Sequence, residues 1–334
     1  MTRFFCTYFD HRYAARGLAL HESLRRHCPS FQLWVLCLDE KCHDWLARLA
    51  LPELRLIRLA ELEQADPELL KTKAGRSTVE YYFTGTPCLP RFIFQRAPEI
   101  DLLTYLDADL FFFADPAPLF DELGGGSVAI IGHRFAEQHR ELERFGVYNV
   151  GWVSFRRDEN GRRCLEWWRE RCLEWCHDRF EDGRYADQKY LDVWPEKFPG
   201  VVVLQHPGAN LAPWNVANHT MTRQDNSVRV DDRPLIFFHF HGFKPADEIH
   251  HHTGLEKYKA TMSEVLLRKV FEPYTQALWT TRGQIPEENS TSLRKPAAKK
   301  SALGRWIAAR RAKRRLQQGL AEGHIIRVVD GRIG

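Results

Sequence analysis

The chain opens on an alternation of short apolar runs and amphipathic stretches. "RFFCTYFD" (3–10) reads as a first strand. "AARGLALHESLRRH" (14–27) follows with apolar residues at helical spacing. "FQLWVLCLDE" (31–40) is a second strand, "KCHDWLARL" a second helix and "LRLIRL" (54–59) a short third strand. Strands alternating with helices predict a mainly parallel sheet with helices packed on it, an α/β architecture. "LPRFIFQRAP" (89–98) predicts a helix ending near Pro98, and "YLDADLFFFADP" (105–116) the next strand. Pro116 and Pro118 mark a turn, and "SVAIIGH" (127–133) predicts another strand.

Beyond "GGG" (124–126) the alternation loosens. "YNVGWVSF" (148–155), "VVVLQH" and "LIFFHFHGF" predict strands, while "RCLEWWRERCLEWCHDRF" (163–180) and "DQKYLDVWPEKF" (187–198) predict helices. From about Pro286 the composition turns to Ser, Lys, Pro and Ala, which predicts a linker. "SALGRWIAARRAKRRLQQGL" (301–320) predicts a separate helix. The expected division is a catalytic-type domain over 1–275, a linker over 276–300 and a basic helix and tail over 301–334.

Composition changes the picture in three places. A hydrophobic content of 44%, with aromatic residues making up 12% of the chain, suffices for a large core. No apolar run approaches the roughly 20 residues that span a bilayer, and the N-terminus lacks a signal-peptide layout, so a cytoplasmic location is expected. The net charge of +4 is unevenly spread: residues 294–334 carry 12 Lys/Arg against 2 Asp/Glu, leaving the body mildly acidic. The basic stretch 294–315 is a candidate for an anionic membrane surface, with a peripheral place at the inner face. A solvated tail is the alternative, and no nucleic acid is expected. The eight cysteines are scattered without a CxxC pair, which argues against a disulfide framework or a structural zinc site. "CLEWCH" (172–177) reads as cysteines on a Trp-rich helix, and "HHH" (250–252) as a loop.

The candidate chemistry starts at Asp107 and Asp109. In a strand, residues two apart share a face, and unpaired buried carboxylates are costly. A hard or borderline divalent cation, Mg2+ or Mn2+, would neutralise both and bridge the phosphates of a nucleotide. Solvated acids at a strand end are the alternative. His239 and His241 alternate with Phe238 and Phe240 and so face one side of a strand. Gly242 allows close backbone approach, and Lys244 offers a charge to a phosphate.

"CTYFDHRY", "YLDADLFFFADP", "YNVGWVSF", "ADQKYLD" and "HFHGFK", in this order over roughly residues 3–260, resemble the GT-A glycosyltransferases. The likeness is to the retaining group that includes glycogenin and bacterial lipopolysaccharide galactosyl- and glucosyltransferases. The resemblance implies a GT-A fold, a UDP-linked nucleotide-diphosphate sugar as donor, and a glycan or lipid-borne acceptor in cell-surface polysaccharide synthesis. It implies a metal held by Asp107, Asp109 and His239, with His241 a rival ligand or a substrate contact. Thr7, Tyr8 and Asp10 fall where base and ribose are held, although Tyr8 also suits the core and Asp10 a helix cap. Arg91 falls near the family's diphosphate contact or on a helix surface. Asn149 and Gly151 fall in the sugar pocket. Asp187 and Gln188 take the places of the family's acid and amide beside the transferred sugar, with a helix N-cap as the other reading of Asp187. Trp214 and Asn215 suit a sugar ring or a structural loop. One departure stands out: Phe243 alone separates Gly242 from Lys244, where the family commonly has two residues. Two other classes compete. A haloacid dehalogenase-type phosphatase also carries DxD after a strand, but wants Thr or Val where Phe111 stands. A binding module acting through its basic tail leaves the paired acids and histidines unexplained.

Overall fold

The computed structural model describes residues 2–225, 227–285 and 302–334. Its centre is a seven-stranded sheet. The first half runs β1 (Arg3–Phe9), β2 (Phe31–Cys37), β3 (Leu54–Arg58) and β4 (Leu102–Leu106), with helices Ala14–His27 and Glu40–Leu49 between the first three. After β5 (Leu110–Phe112) come β6 (Val128–Gly132), β7 (Tyr148–Arg156) and β8 (Val201–Leu204). The order across the sheet is β3-β2-β1-β4-β7-β6-β8. Only β7 is reversed: it pairs antiparallel with β4 and β6, while every other pairing is parallel.

Both faces of this sheet are covered, so its strands are apolar almost throughout. Period-two alternation sorts β1 between them. Phe5 and Phe9 enter one core beside Leu18, Leu33 and Trp152, while Cys6 enters the other beside Ile93, Leu103 and Trp168. A third core, around Phe238, Phe240, Phe271 and Tyr274, lies beneath smaller strands. These are β9 (Met221–Gln224), β10 (Ser227–Val230), β11 (Arg233–Pro234), β12 (Phe237–His239), β13 (Lys244–Pro245), β14 (His250–His252), β15 (Ile325–Val329) and β16 (Arg332–Ile333).

Four expectations are corrected. "YLDADLFFFADP" is not one strand. β4 stops at Leu106, the aspartates occupy a turn, and β5 joins a separate ladder with β12. The turn is closed by Leu110 N–H donating to the Asp107 carbonyl at 3.3 Å. The stretch 187–198 is a 3-10 turn, Lys189–Val193, followed by one helical turn, Trp194–Lys197, in which Pro195 sits in the first turn, where its missing N–H costs nothing. "HHH" is strand β14, paired on both sides by β13 and β15. The C-terminal segment is not separate from the body. Helix Ala302–Ala321 leads into β15 and β16, Ile326 and Ile333 enter the third core, and Thr275 Oγ1 donates to the Gly331 carbonyl at 2.8 Å. The region expected as a linker begins as helix Glu272–Arg282, with Ala277 buried. The rest of that linker, 286–300, and the basic residues 294–300 lie outside the described residues. No described helix is long and apolar enough to cross a membrane.

Candidate active site

Open parallel sheets offer their ligand crevice at the carboxyl ends of the strands. Here Asp10 follows β1, Leu38 follows β2, Asp107 follows β4 and His133 follows β6, and all four line one cleft of about 1130 Å3. Because β7 is reversed, its first residues, among them Asn149, meet the same edge. His239, at the end of β12, arrives from the small ladder that extends the aspartate turn.

The three expected ligands converge. His239 Nε2 stands 3.1 Å from Asp109 Oδ1 and 3.6 Å from Asp107 Oδ2. One donor atom from each lies within 4.8 Å of the others, the one such group of acids, cysteines and histidines among the described residues. Burial acts against the charge of each. For Asp109 the His239 charge and hydrogen bond outweigh it, and the carboxyl pKa is lowered. For His239 the two carboxylates outweigh it, and the imidazole pKa is raised. Asp107 is pushed up, by burial and by the Asp109 charge, against the pull of His239.

Asn149 Oδ1 accepts from Gly151 N–H at 3.1 Å and lies 3.2 Å from His239 Nδ1. Its amide therefore buttresses His239, while Asn149 also lines the cleft. Gly151 does not line the cleft: a Cβ there would come within 2.5 Å of Asn149 Oδ1 and 2.9 Å of His239 Nδ1, so its bareness makes room for the histidine.

Beside the cluster, Asp187 is buried, and burial first, the Asp107 charge second, push its carboxyl to about 7 against a hydrogen bond from Thr86. It caps no helix: the cap position belongs to Gln188, whose side chain makes no capping bond. Gln188 Nε2 donates to the Phe145 carbonyl at 3.1 Å, and its Oε1 accepts from Asn149 Nδ2 at 3.4 Å. Trp214 lines the cleft with its ring edge-on to His239 and His241 at 5.0 and 5.5 Å. His241 keeps a solvent-exposed side, and partial desolvation by the cleft wall, with the His239 charge adding to it, lowers its imidazole pKa. Tyr8 also lines the cleft, its hydroxyl 3.2 Å from Thr86 Oγ1. Asp10 lines the cleft and also caps the turn His11–Tyr13, accepting from Arg12 and Tyr13 N–H.

Four expected residues stand elsewhere. Arg91 does not line the cleft: its Nε donates to Glu166 at 2.8 Å and its Nη1 lies 3.9 Å from Asp66. Lys244 is exposed on β13 and outside the cleft, because Gly242, at φ 78°, turns the chain away directly after His241. That turn, rather than a ligand's approach, is what Gly242 serves. Thr7 is fully buried within the sheet and does not line the cleft. Asn215 spends its amide on the protein: Nδ2 donates to the His133 and Asn210 carbonyls at 2.8 and 2.9 Å, and Oδ1 accepts from Ala212 N–H at 2.9 Å.

Sequence reasoning missed His133, Thr86 and the aromatic lining supplied by Tyr105, Tyr185 and Tyr258. For His133 a signal existed. It directly follows an apolar strand of the parallel set, the position at which the crevice rule puts a ligand contact.

A doubly covered, mostly parallel sheet with an acid-imidazole cluster at its carboxyl edge defines the GT-A class of fold. The galactosyltransferase LgtC, solved in complex with donor and acceptor sugar analogues, shares it: the TM-score is 0.51 at 18% identity, covering 81% of this chain and all of that one. No protein-family model matches the chain. The Bacillus subtilis (strain 168) protein YfnF is 38% identical over 253 residues, 73% of this chain and 82% of its own length. YfnD of the same organism is 33% identical over 273 residues, 81% of this chain and 86% of its own. Both are named as uncharacterized proteins. The chain belongs to the family of YfnF and YfnD.

Proposed function

We propose that this protein is a metal-dependent glycosyltransferase that moves a hexose from a nucleotide-diphosphate sugar, UDP-linked by resemblance, to a glycan or lipid-borne acceptor, with retention of anomeric configuration. The observation that carries this reading is the convergence of Asp107, Asp109 and His239 beside Asp187 in one cleft. The donor set fits a cation. Two carboxylates supply hard oxygen ligands, the imidazole tips the choice toward Mn2+ over Mg2+, and the cluster holds more acid than base. When bound, such an ion supplies Lewis-acid neutralisation of the charge that develops on a diphosphate leaving group.

The chain's own residues do the rest. Tyr8 and Asp10, at the end of β1, offer a ring face and a carboxylate to a nucleoside. Asp187 is buried at the cleft wall, and the low polarity around it strengthens any charge interaction with a reacting sugar. Gln188, with both ends of its amide engaged, is held rigid beside it. Trp214 presents an indole to the cleft, the type of surface a pyranose ring packs on. The role first given to Lys244, stabilising the leaving group, has no support in its exposed position. For a lipid-borne acceptor at the inner face of a membrane, the support is the exposure of Arg311, Lys313, Arg314 and Arg315 on one helix.

Incubation with Mn2+ and a panel of nucleotide sugars tests the reading through the slow hydrolysis that transferases show without acceptor. Release of a nucleoside diphosphate, abolished by a chelator, is the expected result. Cleavage of simple phosphate esters would instead place the acids in phosphatase chemistry. No turnover of either would leave a binding module.

A further inference from the structure

The orientation of the Asn149 amide is dictated by the main chain. Gly151 N–H donates to Asn149 Oδ1 at 3.1 Å, so the oxygen stands at that end and the nitrogen at the other. His239 Nδ1 lies 3.2 Å from the same oxygen and must carry a hydrogen. Asn149 Nδ2 lies 3.3 Å from His133 Nε2, which must therefore be bare and accept. The hydrogen of His133 is then on Nδ1, where the Val147 carbonyl accepts it at 3.4 Å. One directional chain runs from His239 through Asn149 and His133 to the main chain. Since Nδ1 of His239 is committed, Nε2 is the nitrogen left to offer a lone pair, and it is the one that faces Asp109 and Asp107 at 3.1 and 3.6 Å.

We infer that His133 is a positioning residue for the proposed metal site: its bare Nε2 holds the Asn149 amide, and the amide holds His239 in the tautomer and ring orientation that a cation requires. The inference rests on the proposed cation at Asp107, Asp109 and His239. His133, at the cleft wall, is itself firmly packed. Its ring stacks on Phe135 at 4.6 Å between centroids and meets the edge of Trp214 at 5.2 Å. Its carbonyl accepts from Trp214 Nε1 at 2.9 Å and from Asn215 Nδ2 at 2.8 Å. A ring held this firmly can fix an amide, and outer partners of this type orient ligating imidazoles and tune their basicity. The same geometry gives Trp214 and Asn215 a purpose as the clamp on His133.

The test is Mn2+ binding by the full chain, followed by electron paramagnetic resonance of the free ion, alone and with uridine diphosphate. His133→Leu removes the acceptor and is expected to weaken binding roughly 10- to 100-fold. His133→Gln, whose side-chain oxygen can accept from Asn149, should retain more. Melting curves of both variants separate this loss from a loss of fold. A second readout needs neither ion nor turnover: 15N spectra of the histidines in the metal-free wild type should show His133 protonated at Nδ1 and bare at Nε2. That readout stands even if His133→Leu fails to fold. A hydrogen on His133 Nε2 would overturn the inference. So would unchanged Mn2+ affinity in both variants, and the transferase reading would survive that result. A wild-type chain that binds no Mn2+, with or without nucleotide, overturns both.

Discussion

Two groups of buried acids in this molecule make opposite arrangements. Asp66 is almost fully buried, yet Arg169 meets it with two nitrogens at 2.6 and 2.7 Å, and Glu68 and Glu166 complete the guanidinium's partners. Burial would raise the Asp66 carboxyl, but Arg169 and the Leu69 N–H it caps hold it below the usual range. Asp187 is buried to a similar degree, is bonded to a neutral hydroxyl, faces another acid, and is pushed to about 7. The first acid has its cation supplied by the chain. The second, with Asp107 and Asp109 nearby, has the His239 imidazole as its close ion-pair partner and no guanidinium against any of the three acids. Burial alone therefore does not mark a site. What marks it is a shortage of positive charge that the fold leaves to be met from outside.

The sharpest way to break this contrast is to remove one acid from each group. Asp109→Asn takes a ligand and a charge from the cleft. Turnover of nucleotide sugar is expected to fall about 1000-fold or more, the range for losing a main stabiliser of transition-state charge. The melting temperature should fall only modestly, because His239 loses its nearer carboxylate partner but keeps Asp107. Arg169→Met does the reverse. It strands Asp66 uncompensated and is expected to cost about 3–5 kcal/mol of stability in urea unfolding, with Mn2+ affinity intact in the folded fraction. Equal effects of the two variants on stability would erase the distinction.

The fold was more legible than the site, for a physical reason. Helices and strands write a period into the sequence, and the segments 14–27 and 148–156 could be read from it almost to the residue. The aspartate turn could not. Asp107 and Asp109 satisfy the alternation of a strand, and nothing local says that Leu110–Phe112 will desert the sheet for β12. Motif residues were legible where the motif itself fixes the backbone, as at His239, and failed where a neighbouring turn decides the direction. Lys244 lies two residues past a left-handed glycine and points to solvent. Arg91 had the right distance along the chain but two acidic partners, Glu166 and Asp66, that only packing brings near it. His133 was invisible as a lone histidine because its meaning lies in hydrogen bonds to residues 16 and 14 positions away.

A pH series sharpens the comparison further. The folded chain holds the Asp187 proton up to about pH 7, whereas the unfolded chain releases it near 3.8. Between those values the folded state binds more protons, so stability falls as pH rises and the penalty is complete above pH 7. Asp187→Asn removes it. In the presence of a chelator, the variant's gain in unfolding free energy should grow by on the order of 2 kcal/mol from pH 5 to pH 8. Asp66, whose carboxyl is depressed, has the opposite sign: its stabilisation is complete above its unfolded pKa and is lost as pH falls through the lower folded one. A gain for Asp187→Asn that is flat across pH would mean that this acid is not held protonated by its pocket.

The smallest expected effect on stability probes the cleft most finely. Gly151→Ala adds one methyl group to β7, a strand that tolerates alanine at its backbone angles, so the cost comes from contact alone. The new Cβ would press on Asn149 Oδ1 and on the His239 ring, neither of which is the free end of a flexible chain. Overpacking of this size costs about 1–2 kcal/mol, while the displaced amide and imidazole should weaken Mn2+ binding by roughly 10-fold or more. A methyl group placed against the Asp66 and Arg169 pair would lower stability without touching the ion. The comparison then comes down to a ratio, metal affinity lost per unit of stability lost. That ratio should be large for Gly151→Ala and near zero for Arg169→Met, and calorimetric titration with Mn2+ beside urea unfolding of the same samples measures it. If Gly151→Ala lowers stability and leaves the affinity unchanged, the glycine serves packing and not the histidine.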